Sequence, residues 1–376
     1  MPRKLAANEP MPRSLRKPVG LALQGGGSWG AYTWGVLDAL LASRSVSIAQ
    51  LSGTSAGAIN GAIVASALAR GSSGQPVMQA REALRSFWLR IADPAMADLA
   101  RVIWGPLERR WRDAVGNTVA SGALAPYASA LSTLPLRQAL EAHIDIDAVR
   151  SKSAPALFVT VTNVRTGLPR VIANDAMSID ALLASACLPE LFQAVELDGE
   201  HYWDGGYSGN PTLWPMIRSG ISDDLIVVQL VPDLAGEVPT SAPSIRRRVG
   251  EIIFNSSLVA EMQAIAAMRA LAERGNGPAS VVDLRLHRIG PPPQALFEQG
   301  SASERSRAWL ETLHGEGRDA GRTFMTRHGA DLGVRETLDV GRVFADAHKP
   351  KIRVAQNEEA RAARVADEPL QLVAGA

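Results

Sequence analysis

Apolar positions along this chain follow two rhythms. Residues 19–23 form a short unbroken apolar run that ends in a glycine cluster, after which Trp29, Tyr32, Val36, Leu37, Leu40 and Leu41 recur at helical spacing. The pattern predicts a strand, a tight loop and a helix. A second unit follows at once, with residues 46–51 as a strand, Gly53-Thr54-Ser55-Ala56-Gly57 as a sharp turn and residues 56–69 as a helix. Gly57, Ala58, Gly61, Ala62 and Ala65 make that helix small or apolar on every side, which marks a buried helix packed on a sheet. Later runs at 157–162, 225–231 and 281–289 have strand length and composition, with helical patterns between them. Strands alternating with helices imply an α/β fold, a mostly parallel central sheet covered on both faces.

Residues 72–155 are richer in Trp, Arg, Pro and Ala, with no convincing strand, and read as a helical insertion over the loop edge of the sheet. The expected organisation is a disordered basic segment at 1–18, one α/β domain at 19–345 and a charged tail at 346–376. Gly-Ser-Ser-Gly at 71–74 reads as a flexible connector and Pro291-Pro292-Pro293 as a stiff linker. No internal repeat is present. Within residues 93–112, Met96, Ala100, Ile103, Trp104, Leu107 and Trp111 fall on one helical face flanked by Arg101, Arg109, Arg110 and Arg112. That stripe suits a lid or an interfacial helix, or equally a face buried in the core, and Gly105-Pro106 interrupts it.

Composition narrows the function. With 39 basic and 38 acidic side chains among 376 residues the formal charge is +1, too small to draw the molecule to nucleic acid or to anionic lipid as a whole. Any membrane contact must be local. Cys187 is the single cysteine, which excludes an intramolecular disulfide, suits a reducing compartment and reads as a buried core thiol. The first eighteen residues lack the apolar run of a secretory signal, and the most apolar helical stretch, 56–69, falls short of the roughly twenty residues that cross a bilayer. The expectation is a cytoplasmic protein, peripheral to membranes at most. Its oligomeric state is not legible.

Gly53-Thr54-Ser55-Ala56-Gly57 fits the G-x-S-x-G pattern, in which a serine occupies a strained strand-to-helix turn with its hydroxyl above the sheet. The bland alternative is a serine that caps the helix. A serine nucleophile needs a base and an oxyanion site. Gly25-Gly26-Gly27 can supply the second, because bare backbone lets several N–H groups converge on one oxygen at a helix start. Gly25, Gly27 and Gly30 also fit a dinucleotide fingerprint, but that motif wants a carboxylate at the end of the second strand, and residues 48–53 hold none.

For the base, His143, His314, His328 and His348 lie in polar helical or tail settings and His287 at a strand end, all typical of surface histidines. His201 precedes Tyr202-Trp203-Asp204-Gly205-Gly206, a strand end passing into a glycine turn. Such a turn presents Asp204 at the sheet edge, although Asp-Gly alone is most often only a turn.

The glycine loop Gly25-Gly26-Gly27-Ser28-Trp29-Gly30, the serine turn and Asp204-Gly205-Gly206, in that order, resemble a bacterial patatin-like phospholipase. The resemblance covers residues 19–289 and includes 162–167, Ala184-Ser185-Ala186-Cys187-Leu188-Pro189 and Asn210-Pro211. It implies a three-layer α/β/α domain and a serine lipid acyl hydrolase with a Ser–Asp dyad, which carries over to Ser55 and Asp204 without histidine, cofactor or metal. It maps the oxyanion site to Gly25, Gly26 and Gly27, with a lipid ester as substrate. Because a carboxylate is a weaker base than imidazole unless desolvated, Trp203, Leu188 and Phe192 are expected around it. The family commonly has Arg or Lys where this chain has Trp29, so a cation for charged headgroups is missing and neutral esters, a storage polyester included, stay open. A catalytically idle lipid-binding protein on the same fold is the other class to separate.

Overall fold

In a computed structural model the described residues are 16–43, 45–70, 75–93, 133–189, 191–233, 237–275, 279–293, 296, 299–300 and 302–346. Strands β1 (Lys17–Leu23) and β2 (Val46–Gly53) run parallel, each followed by a helix, α1 (Gly30–Ala42) and α2 (Ala56–Ala69). Helices α3 (Pro76–Ile91), α4 (Leu134–His143) and α5 (Ile146–Arg150) come next, so the described part of the insertion is helical. Then come β3 (Ala156–Asn163), β4 (Pro169–Ala173), α6 (Ile179–Ser185), β5 (Val195–Leu197) and β6 (Glu200–Asp204). The order closes with α7 (Trp214–Ser219), β7 (Asp224–Val228), α8 (Ala242–Glu273), α9 (Ala279–Val282), β8 (Arg285–Ile289) and α10 (Arg307–His328).

The sheet runs β5-β6-β3-β2-β1-β7-β8, with β4 beside β3. From β3 to β8 every neighbour is parallel, whereas β4, β5 and β6 are antiparallel additions. The central strands are buried on both faces, which is why they read as unbroken apolar runs. Alternation then sorts their side chains between two cores. Val19, Leu21, Leu23, Ile226 and Val228 join the core under α1, α2 and α3, and Ala22, Leu225 and Val227 join one formed with Leu258 and Met262 of α8. The result is a three-layer α/β/α domain.

Within the described part of the insertion, α3 packs against α1 and α2, and Trp88 of α3 donates to Asn60 of α2 at 2.9 Å. α10 packs on α1 at backbone contact, where a Cβ on Gly317 would stand 2.0 Å from the Tyr32 carbonyl oxygen. Such proximity requires glycine there. At the opposite end of the sheet from the serine turn, Asp224 accepts from Arg285 at 2.8 Å, from the Gly333 amide at 2.8 Å and meets His287 Nε2 at 3.1 Å. His287 is therefore a wholly buried residue that secures the chain after α10, and not the surface histidine its position suggests. The domain also starts earlier than residue 19, because Lys17 belongs to β1 and its ammonium holds the carbonyls of Ala330 and Leu332.

Candidate active site

The turn between β2 and α2 carries the strongest local signal. Ser55 has φ 54° and ψ −125°, and among the described residues only Asp198 is a second non-glycine with positive φ. A side chain in that region costs on the order of 1–3 kcal/mol and persists only where its surroundings impose it. Here the Ser55 amide donates to Ser185 Oγ at 2.9 Å, and that hydroxyl donates onward to the Thr160 carbonyl at 2.8 Å, tying the turn to β3. Thr54 Oγ1 donates to the Gly209 carbonyl at 2.6 Å. A Cβ on Gly57 would lie 2.2 Å from the Leu23 carbonyl oxygen, so the turn crosses the end of β1 too closely for any other residue. The Ser55 side chain makes no capping hydrogen bond to α2, which removes the helix-cap explanation for it.

Sheet register brings Asp204 to the same place. Val159 pairs with Gly53 of β2 and Ile172 of β4, while Val161 pairs with Asp204 of β6 and Arg170 of β4. β4 occupies one edge of β3, so β2 and β6 share the other and meet end to end, closing on Gly53 and Asp204. The Gly205 turn then lies against Thr54: its Cβ position is 2.1 Å from the Thr160 carbonyl oxygen and 3.0 Å from Thr54 Cγ2.

Asp204 is fully buried. Its amide donates to the Cys187 carbonyl at 2.8 Å, its carbonyl accepts from Thr162 Oγ1 at 2.8 Å, and its Oδ1 accepts from the Gly206 amide at 2.8 Å. Burial first, and the Asp204 charge second, push the Cys187 thiol up to about 12. Cys187 is thus the buried thiol its sequence position suggests. Trp203, next along the strand, points to the other face, and it is half-buried, as are Leu188 and Phe192.

The glycine loop follows β1 and lies on the serine turn, where a Cβ on Gly25 would come within 2.9 Å of Ser55 Cβ. Its amides have different fates. Gly25 N–H donates to Asn210 Oδ1 at 2.6 Å, and Ser28 N–H donates to the Ala302 carbonyl at 2.9 Å. Among the described residues nothing accepts from the amides of Gly26 and Gly27. Gly27 adopts φ 60°, the left-handed conformation that favours glycine. Trp29 is buried and packs edge-on against Trp309 of α10, with ring centroids 5.4 Å apart.

Three buried amide side chains fix this loop. Gln24 Oε1 accepts from the Leu230 and Val231 amides at 2.7 and 2.8 Å, and Gln24 Nε2 donates to Asn255 Oδ1 at 3.0 Å. Asn210 Nδ2 donates to the Phe254 carbonyl at 2.8 Å. The sequence names Asn210 and Ser185 only as parts of a motif and gives Gln24 and Asn255 no role.

A family model for patatin-like phospholipase matches residues 21–217, more than half of the 376-residue chain. The chain belongs to the patatin-like phospholipase family. The match begins in β1 and ends in α7, so this patatin-like phospholipase carries the glycine loop, Ser55 and Asp204 all inside the matched residues. Membership makes it a lipid acyl hydrolase in general terms. Among solved structures, VipD from Legionella pneumophila is similar over 84% of this chain and 67% of its own, at 15% identity and a TM-score of 0.40, too distant to bear on the site. No curated protein matches the chain. Among the described residues no helix is long and apolar enough to cross a membrane. The apolar stripe at Met96 to Trp111 and the connector at 71–74 lie outside the described residues.

Proposed function

We propose that this chain cleaves carboxylic esters of lipids through Ser55 and Asp204, by way of an acyl-enzyme. The observation that carries the reading is the conformation of Ser55: a residue held at positive φ, with its amide engaged by Ser185 and its side chain left out of helix capping. Strain of this kind is maintained where a side chain must be aimed.

In the first step Ser55 Oγ adds to the acyl carbonyl while Asp204 takes its proton, and the carbonyl electron pair becomes an oxyanion. The free amides of Gly26 and Gly27 stabilise that oxyanion, and Gly25, fastened to Asn210, holds the loop in register. Collapse expels the alcohol, which takes the proton from Asp204. Water then gives a proton to Asp204 and adds to the acyl-enzyme, and the second collapse releases the fatty acid and returns the proton to Ser55.

With Trp29 buried against Trp309, no cation stands at that position of the loop, so the loop itself makes no demand for an anionic headgroup. A chromogenic acyl ester tests the proposal. Ser55→Ala should lower turnover by roughly 10^4-fold or more with the fold intact. Turnover retained in that variant would remove Ser55 from the mechanism, and a wild-type protein that binds lipid without hydrolysis would be the idle lipid-binding protein.

A further inference from the structure

α8 buries one face and leaves another bare. Leu258, Met262 and Ile265 point into the core beneath the sheet, whereas Ile245, Val249, Ile252 and Ile253 are 44%, 49%, 53% and 38% exposed. Their spacing sets them on one stripe along the first half of the helix. Scattered exposed apolar residues need no explanation, but four large ones on a single stripe mark a surface that meets something.

The charges beside the stripe say what. Arg246 and Arg247 are exposed, and among the described residues neither forms an ion pair, while Arg248 is paired with Glu251 at 3.0 Å. By helical spacing Arg246 stands at the edge of the stripe beside Ile253, whereas Arg247 stands on the opposite side of the helix, so the stripe's edge carries the unneutralised charge of Arg246 in a molecule whose formal charge is only +1. Its location is equally telling. Phe254, next after Ile253, lies against Gly206, packs its ring 5.2 Å from that of Tyr207 and offers its carbonyl to Asn210 at 2.8 Å. The bare stripe thus adjoins the turn that follows Asp204.

We propose that the first half of α8 seats the enzyme on an anionic lipid bilayer, with Ile245, Val249, Ile252 and Ile253 among the acyl chains and Arg246 at the headgroup phosphates. An apolar stripe with a free arginine at its edge is the composition of a helix that lies in the interface. The inference rests on the reading of the substrate as a lipid ester, and it gives that substrate a route from the bilayer to Ser55.

Flotation with vesicles tests it, using phosphatidylcholine and phosphatidylglycerol in equal parts against phosphatidylcholine alone. Wild type and Ser55→Ala should both float with the anionic vesicles, since docking needs no chemistry. A triple variant, Ile245→Ser, Val249→Ser and Ile252→Ser, should lose roughly tenfold or more of that binding. Arg246→Gln should lose the preference for anionic over neutral vesicles. Both variants should hydrolyse a water-soluble short-chain ester at the wild-type rate, which shows that the fold is intact. The proposal is overturned if the triple variant floats like wild type, if wild type floats with neither vesicle, or if wild type is a dimer that the triple variant dissociates. Vesicle binding without hydrolysis would sink the proposed function and leave the docking surface standing.

Discussion

The Gly25 amide donates to the side-chain oxygen of Asn210 at 2.6 Å, and that bond leaves the amides of Gly26 and Gly27 as the unengaged ones among the described residues. Asn210 also reaches the Phe254 carbonyl, so one buried side chain joins the loop to α8. Asn210→Ala should leave Gly25 unpaired and let the loop drift, lowering kcat by about 10–100-fold with a smaller change in KM, since removing one oxyanion donor outright costs about 10^2–10^3-fold. Steady-state kinetics on a soluble ester reads the split. A variant with unchanged kcat would mean that the loop holds its shape without Asn210.

Glu261 gives a pH dependence of stability. Burial raises its carboxyl from 4.5 to about 7, although the amides of Leu213 and Trp214 donate to it and oppose the shift. A folded-state value above the unfolded one means that the folded protein holds this proton more tightly. The associated stability is fully present below about pH 4.5 and is lost as pH rises through about 7. Urea unfolding should therefore show the wild type losing on the order of 1–3 kcal/mol relative to Glu261→Gln between pH 5 and 8. Parallel pH profiles for the two proteins would contradict this origin.

Gly317→Ala tests the contact between α1 and α10. Its Cβ would stand 2.0 Å from the Tyr32 carbonyl oxygen, so the helices must separate. Overpacking of this kind typically costs about 1–3 kcal/mol, seen as a lower denaturation midpoint. No change in the midpoint would show that the helices adapt freely.

Trp29→Arg restores the residue type usual at that place in the family, yet the structure assigns the position to the core with Trp309. Emptying such a site costs about 3–5 kcal/mol, and an unpaired arginine adds a desolvation penalty. The expected outcome is a less stable protein with no gain on anionic phospholipids. A stable variant with such a gain would mean that the loop can present a cation after all.

The first half of the fold was readable because its signals are local. Helix α2 spans the residues that its small apolar composition indicates, and β1 and β2 end at the glycine turns that the sequence marks. Two of the antiparallel strands are not readable. β4 is Pro-Arg-Val-Ile-Ala and β5 is Val-Glu-Leu, too short and too mixed to show a period, and their pairing with the long strand β3 and with β6 creates them. His287 was misjudged because its burial comes from Asp224, 63 residues away, and from Thr337. In the site, the serine turn and the glycine loop announce themselves by composition. The amides that hold the loop do not: Gln24 meets Asn255 across 231 residues and Gly25 meets Asn210 across 185, separations that leave no mark in a linear pattern.

The proposed pairing of Ser55 with Asp204 is tested most directly by the rate at which a fluorophosphonate phosphonylates the protein with loss of fluoride, followed by intact mass. Wild type should gain a single adduct, Ser55→Ala none, and Asp204→Asn should form the same adduct slower by roughly 10^2–10^4-fold, the usual contribution of a positioned base. An adduct on Ser55→Ala at the wild-type rate, or an Asp204→Asn protein that reacts as fast as wild type, would contradict the account.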